Sequence, residues 1–387
     1  MSDTIDFQHV TPALRVHAGT RAFTHLPREL DRLGSKRAVI ICGATLGREA
    51  SPLDLVREAL GGRLAGTFSS VKAHSPVSSV KAAADLLRSL KADAVIAVGG
   101  GSAIVTARAA SILVAEQGDV ASLATTVRDG ALTSPRLGNP KLPQLIVPTT
   151  PTTAMAKAGS ALLDDETHAR LALFDPKTRA QCLFIHPDLL ASAPRHLIVS
   201  ASLNTLAMSI EGLMSSKGDP IADGELIHAL RLCDQHLRND ETVDTPKARV
   251  NLAIAALLCG QGTDHSGAGM TTVLGHAIGS HFGIENGVVN AIVLPTVLHF
   301  NAAAARDGID KVAVALGLPG GDVARVAGRL RALFETLNVP AHLREAGVKK
   351  TDLPDIAKRA MGDWFLKSNP RPVQDEHELV ALMEDAW

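Results

Sequence analysis

The sequence predicts an α/β domain, its parallel sheet flanked by helices, followed by an all-α domain. Three observations carry this reading. Continuous apolar runs closed by glycine alternate with amphipathic patterns up to about residue 185. A glycine triplet follows one of those runs, and from about residue 188 the apolar period is helical to the end. The predicted boundary gives segments 1–187 and 188–387, in keeping with 387 residues at roughly 150 per domain.

In chain order, RAVIICG (37–43) reads as a buried parallel strand. SPLDLVREALGG (51–62) reads as a helix with a serine cap, a proline in its first turn and a glycine stop. VSSVKAAADLLRSLKA (77–92) is a second amphipathic helix, DAVIAVGGG (93–101) a second buried strand and QLIVPTT (144–150) a third. In SALLDDETHARLALFDP (160–176), two apolar segments flank a polar stretch, the pattern of a hairpin at the sheet's edge. Asp188 to His228 carries an extended helical pattern, Arg249 to Cys259 and Gly269 to Ser280 are further helices, and Asp322 is placed to cap a helix reaching Leu337. The expected place for a site is a cleft between the two domains.

Composition excludes several classes of function. Lys+Arg 39 against Asp+Glu 40 leaves a formal charge of −1, with no bulk field for nucleic acid or anionic lipid. Tyrosine is absent and aromatic residues make up 3%, so the core is aliphatic and base stacking is not provided for. No run is expected to reach the roughly 18 apolar residues of a membrane helix, and MSDTIDFQHV lacks the regions of a signal peptide. Cys42, Cys182, Cys233 and Cys259 form no CxxC pair and read as free, mostly buried thiols of a cytoplasmic protein.

The most informative stretch of the first half is VGGGSAIVTARAA (98–110). Gly99, Gly100 and Gly101 let backbone approach a ligand closely where a strand passes into a helix, and amides at the helix start favour a phosphate. Ser102 either caps that helix or donates to the phosphate. The plainer alternative is a corner that merely needs positive φ. The stretch is not GxGxxG; Gly43, opening GATLG after the first strand, is a weaker phosphate-loop signal. No acidic residue stands at the end of that strand to take an adenosine 2′-hydroxyl, so a bound dinucleotide is as readily NADP as NAD. PTTPTT (148–153) brings four threonine hydroxyls, those of Thr149, Thr150, Thr152 and Thr153, to the same sheet edge, as ligand donors or as partners of a Pro-rich turn.

The chain resembles the iron-containing alcohol dehydrogenases and their maleylacetate reductase branch. The residues that carry the resemblance are GGGS (99–102), PTT (148–150), HPDLLASAPRHLIVSASLNTLAMSIEG (186–212), LGHAIGSHFGIENGVVNAIVLPTVLHFN (274–301) and NPRPV (369–373). It implies the dehydroquinate synthase-like fold of that family, with a nucleotide-binding α/β domain and a helical domain. It also implies hydride transfer from NAD or NADP to a small-molecule substrate, and a homo-oligomer, a dimer in the first instance.

The family's metal ligands do not carry over. The resemblance puts Asn204, Met208, Thr272 and Asn286 at the four ligand positions, all neutral, and no catalytic metal is expected. The maleylacetate reductase branch also has Asn at the first position and works without metal, but keeps histidines this chain lacks. Val105, Arg108 and the PTTPTTAMAKAG segment are further departures from the family pattern.

His276 is the retained family histidine and the expected catalytic acid, delivering a proton to the substrate oxygen. Asn204, Met208, Thr272 and Asn286 are expected to line the vacated pocket as substrate contacts. His281 would reach the cleft only if its helix ended near Gly279, and His265 is expected in a loop near the cleft. Lys157 is a cation suited to a substrate carboxylate or a 2′-phosphate, or simply a solvated lysine. Two readings compete with a metal-independent oxidoreductase: an inactive nucleotide-binding homologue, and a metal enzyme in which His265, His276 and His281 converge with Glu285.

Overall fold

The computed structural model describes residues 6–128, 131–167, 169–238 and 243–387. It divides into two units, Pro12–Ala193 and Met1–Thr11 with Pro194–Trp387, so the opening segment belongs with the helical part of the chain.

In the α/β unit, the strands are β1 (Arg15–Ala18), β2 (Ala38–Gly43), β3 (Leu64–Val71), β4 (Ala94–Gly99), β5 (Thr126–Arg128), β6 (Ala131–Thr133), β7 (Gln144–Pro148), β8 (Gly159–Leu163), β9 (Arg170–Phe174) and β10 (Ala180–Ile185). Among the described residues the main sheet has six strands in the order β1-β10-β7-β4-β2-β3, paired in parallel throughout. The three strands legible in the sequence, β2, β4 and β7, are adjacent and buried nearly end to end. Alternate residues (Ala38, Ile40, Cys42; Ala94, Ile96, Val98; Leu145, Val147) pack with Leu26, Leu30, Leu53 and Val56 on one face. On this sheet pack α2 (Val77–Ser89) and α3 (Gly101–Ala115), following α1 (Asp54–Leu60) in the chain.

Two local expectations are corrected here. Ser51 does not cap α1: the helix begins at Asp54, and the Ser51 hydroxyl donates to the Leu46 carbonyl at 2.7 Å. The hairpin forms, but as a separate antiparallel β8–β9 sheet, tied to neighbouring backbone by an isolated bridge between Pro76 and Leu163 rather than added to the main sheet's edge.

The helical unit contains α4 (Arg195–Met214), α5 (Pro220–Leu237), α6 (Pro246–Ser266), α7 (Met270–Phe282), α8 (Asn286–Asn301) and α9 (Val323–Thr336), followed by shorter helices. The extended pattern from 188 is thus several helices, interrupted by Pro194, which precedes α4, and by the turn through Gly218 to Pro220. Asp322 caps α9 as expected, accepting from the Ala324 amide at 2.9 Å. α6 runs on past Cys259 because Gly262 is packed against α5, where a Cβ would stand 2.6 Å from Leu226 Cγ; it stops at Gly267, with φ +78°. α4 has a mean hydropathy of 1.4 over 18 residues, enough by length and composition to cross a membrane and contrary to the expectation that no run would reach it. In the fold, 78% of that window is buried, as befits a core helix. Cys42, Cys182, Cys233 and Cys259 are buried, and none is in a disulfide.

Candidate functional site

The glycine triplet and the threonine motif stand side by side. β4 and β7 pair with Gly99 opposite Pro148, and the Thr149 amide donates to the Gly99 carbonyl at 3.1 Å. Gly99 has φ +149°, and a Cβ there would lie 2.8 Å from that of Ala103. A Cβ on Gly100 would lie 3.0 Å from Thr150 Oγ1, and one on Gly101 3.4 Å from Thr152 Oγ1. Gly43 is under no such demand, its nearest neighbour being the Val71 carbonyl at 4.0 Å. The amides of Ala103 and Ile104 close on the Gly100 carbonyl. The Gly101 and Ser102 amides therefore precede the first intrahelical bond, the arrangement that receives an anionic oxygen.

Ser102 lies inside the first turn of α3, whose N-cap is Gly100 with no side-chain bond, so the serine is not the cap. Thr152, rather than Thr153, caps the short turn after the motif, accepting from the Ala154 amide at 3.3 Å. Arg108 is fully buried; its guanidinium donates to the carbonyls of Ala154 and Gly159, each at 2.7 Å. It ties the threonine segment to α3, a role the sequence did not reveal. Lys157, in that segment, is half-buried.

In the helical unit, α4, α7 and α8 bring four expected pocket positions onto neighbouring elements. The Asn204 amide touches the Met208 sulfur at 3.4 Å and the Asn290 amide at 3.0 Å. Asn290 in its satisfied orientation donates to the carbonyls of Asn286 and Thr271. Gly275 and Gly279 make room for these amides: a Cβ on either would collide with Asn290 or Asn286. Asn286 itself is exposed, whereas Met208 and Thr272 are buried.

Beneath Thr272 lies Glu211, a carboxyl the sequence reading passed over although it interrupts an apolar helix. It accepts from the Thr271 amide at 2.5 Å and the Thr272 hydroxyl at 2.6 Å, at the N-terminus of α7. Complete burial pushes this carboxyl above the usual carboxylate range, against the pull of those hydrogen bonds.

His276 meets Asp363, its Nδ1 lying 2.8 Å from Oδ2. Asp363 is held in turn by its other oxygen, which accepts from the Phe365 amide at 3.0 Å. In a neutral ring the His276–Asp363 contact places the proton on Nδ1, facing the carboxylate. Six residues on from Asp363, Asn369 of the NPRPV segment pairs amide to amide with Asn301 at 2.8 and 3.1 Å and accepts from the Met270 amide. That segment therefore clamps the ends of α7 and α8.

The other two histidines stand apart from this arrangement. α7 continues to Phe282, so His281 is exposed and its Nδ1 accepts from Arg359 at 3.1 Å. His265 is in the last turn of α6, not in a loop; it donates from Nε2 to the Val10 carbonyl at 3.2 Å and stacks on His9. Glu285 faces His196 at 3.6 Å. The rearranged ligand set of His265, His276, His281 and Glu285 thus does not converge.

A divalent iron or zinc needs anionic oxygens or imidazoles to offset its dehydration. The positions that the resemblance assigns to ligands offer two amides, a thioether and a hydroxyl, the Asn204 amide already on Met208 and the Thr272 hydroxyl on Glu211, and they do not fit such an ion. Among the described residues, imidazole, carboxylate and thiol donors converge elsewhere, as His9, Asp219 and His265, and as His17, Glu29 and Cys182. In the second group Glu29 is already held by Arg32 at 2.7 Å, and burial pushes the Cys182 thiol up to about 12.

Comparisons with known proteins agree with this architecture. The family model described as "Iron-containing alcohol dehydrogenase" matches residues 12–187, and the C-terminal model of the same family matches residues 198–387. The lactaldehyde reductase of Escherichia coli (strain K12) is 28% identical over 381 residues, 95% of this chain and 97% of that protein. The maleylacetate reductase of Sphingobium indicum is 28% identical over 377 residues, 96% of this chain and 95% of that one. In fold, the chain matches sulfoacetaldehyde reductase from Bifidobacterium kashiwanohense, solved in complex with NAD+, with a TM-score of 0.88 at 19% identity over 99% of both chains. With the two family models together spanning nearly its whole length, the chain belongs to the iron-containing alcohol dehydrogenase family of oxidoreductases.

Proposed function

We propose that this enzyme is a metal-independent, NAD(P)-dependent reductase. Its substrate is a small organic molecule with a carbonyl, or with a double bond conjugated to a carbonyl. The observation that carries the reading is the His276–Asp363 pair, a proton donor held at 2.8 Å by a carboxylate, in a unit whose presumptive ligand positions lack anionic donors. The names of the relatives span both chemistries, lactaldehyde reductase on one side and maleylacetate reductase on the other.

Bound nicotinamide supplies the hydride. The amides of Gly101 and Ser102, with Thr149 and Thr150 nearby, hold its phosphates; Gly43, Gly99, Gly100 and Thr153 shape the same strand ends. His276 in its protonated form donates its Nε2 proton to the substrate oxygen, replacing the charge stabilisation that an ion would provide, and is left as the neutral ring whose remaining Nδ1 proton Asp363 holds. Asn204 and Asn286 orient the substrate by amide contacts, and Met208 and Thr272 favour a substrate with some apolar body over a chelating diol. The enzyme acts as a cytoplasmic homodimer; buried thiols outside any disulfide accord with a reducing compartment.

The test is turnover in EDTA on a panel of aldehydes, ketones and enoates, with nicotinamide fluorescence reporting cofactor binding. Turnover that persists after chelation, and a bell-shaped pH profile that loses one limb in Asp363→Asn, support the reading. Activity that vanishes on removing stoichiometric iron or zinc overturns it, as does cofactor binding without turnover across the panel.

A further inference from the structure

The helical unit holds a second constellation that shares no residue with the His276 region. Asp219 is the N-cap of α5, and its Oδ1 accepts from the amides of Ile221 and Ala222 at 2.9 and 3.0 Å. Its Oδ2 faces two imidazoles: His9 Nδ1 at 3.0 Å and His265 Nδ1 at 3.9 Å. The His9 and Asp219 side chains are only 5% and 4% exposed, so water does little to screen them.

Donors and acceptors here do not balance. His265 gives its Nε2 proton to the Val10 carbonyl, so in its neutral form the Nδ1 lone pair is directed at the carboxylate. Glu225, six residues along α5, adds a second carboxyl in the field of His9, Asp219 and Asp264. Its Oε2 is buried with no hydrogen-bond partner among the described residues. Two imidazoles on one carboxylate, beside a buried carboxylate oxygen with no donor, are groups that a cation would satisfy.

We propose that His9, Asp219 and His265, with Glu225 as a fourth donor, bind a divalent transition cation of the zinc class. Two imidazole nitrogens with carboxylate oxygen suit zinc or cobalt rather than magnesium or calcium, which take oxygen ligands alone. The outer contacts match those of a metal site: the far nitrogen of His265 donates to a backbone carbonyl, and the spare oxygen of Asp219 is held by helix amides. The ligand atoms of His9, Asp219 and His265 already lie within 4.8 Å of one another.

The imidazole rings stack at 3.7 Å with 16° between their planes. An ion must lie near the plane of each ring, so loading fans the pair apart. His9 sits in a segment without helix or strand, which lets that ring move while His265 stays on α6. The bound ion then staples the opening segment to α5 and α6, a structural role separate from hydride transfer.

The test uses the full chain, purified in chelator, dialysed and titrated with Zn2+ or Co2+ alone. Expected are one equivalent bound per chain, a cobalt spectrum of mixed nitrogen and oxygen ligation, and a melting temperature raised by about 5 °C at saturation. His9→Ala and His265→Ala weaken binding at least about tenfold, and Glu225→Gln weakens it less. His9→Ala keeps its turnover, which separates this site from the reaction. No binding at about 100 µM cation, or equal affinity in wild type and both histidine variants, overturns the proposal and leaves the pair as a protonated imidazole held by Asp219. Chelated wild type that turns over while His9→Ala loses its cobalt would uphold both proposals; each fails on a different measurement.

Discussion

The glycine loop and the polar pocket of the helical unit are built on opposite principles. The loop is nearly all backbone: Gly99 to Gly101 bend where side chains would meet Ala103, Thr150 and Thr152, and the anion-seeking groups are main-chain amides. The pocket is nearly all side chain: Asn204, Met208, Glu211, Thr272 and Asn290 come from three helices and satisfy one another. A backbone site tolerates change around it provided its glycines stay. A side-chain site changes its chemistry with each substitution, and this pocket accordingly carries neutral groups where the family resemblance expects ligands.

The sharpest way to break that contrast is His276→Ala. It removes the proposed proton donor and leaves the loop untouched, so kcat is expected to fall by about 10²–10⁴ with cofactor Kd unchanged. Stopped-flow turnover and nicotinamide fluorescence read the two quantities separately; a rise in Kd alongside the fall in kcat would mean the regions are not independent.

Arg108→Ala attacks the support of the loop. It deprives the carbonyls of Ala154 and Gly159 of a buried, charged donor, at a cost of about 3 kcal/mol on urea unfolding. Cofactor Kd should rise as well, because the segment after Thr152 loses its tie to α3. If Kd holds while stability falls, Arg108 serves the fold alone.

Gly99→Ala tests the backbone itself. A side chain at φ +149°, 2.8 Å from Ala103 Cβ, stores about 1–3 kcal/mol of strain, and cofactor should bind about tenfold more weakly. Unchanged binding, measured by fluorescence titration, would remove the loop from the cofactor site.

Glu211→Gln has the smallest expected effect. Burial raises this carboxyl above its ordinary 4.5, so the fold favours the neutral form. That contribution is complete in acid below the ordinary value and is lost as pH rises through the raised one. Wild type should therefore lose stability relative to Glu211→Gln with increasing pH, by at most about 1.4 kcal/mol per pH unit, across that window. Urea midpoints at several pH values measure it, and a flat difference would show that the helix amides offset the burial.

Much of the fold was legible because local pattern and tertiary role coincide. β2, β4 and β7 are buried on both faces and so read as unbroken apolar runs. β1 and β3 sit at the sheet edges, partly exposed, and their mixed sequences carry no such signal. Ser51 was read as a cap, and Ser102 as a cap or a phosphate donor, because serine before a helix is a good local sign. Their roles depend on where the helix begins, which neighbouring chain decides. His265 was assigned to a loop because Gly267 and Gly269 follow it, yet α6 continues through His265 to Ser266 and ends only at Gly267. Asp363 and Glu211 were missed altogether, since nothing near them in the chain marks them as partners of His276 and Thr272.

By itself, then, the sequence determined the alternation of strand and helix, the glycine loop and the family, all encoded in residues within a few positions of one another. Tertiary structure alone decided which groups pair: Asp363 with His276 across 87 positions, Asp219 with His9 across 210. The reason is physical. Secondary structure answers to local periodicity and backbone sterics, whereas a proton donor or cation site depends on distances of about 3 Å that only the packed chain brings about.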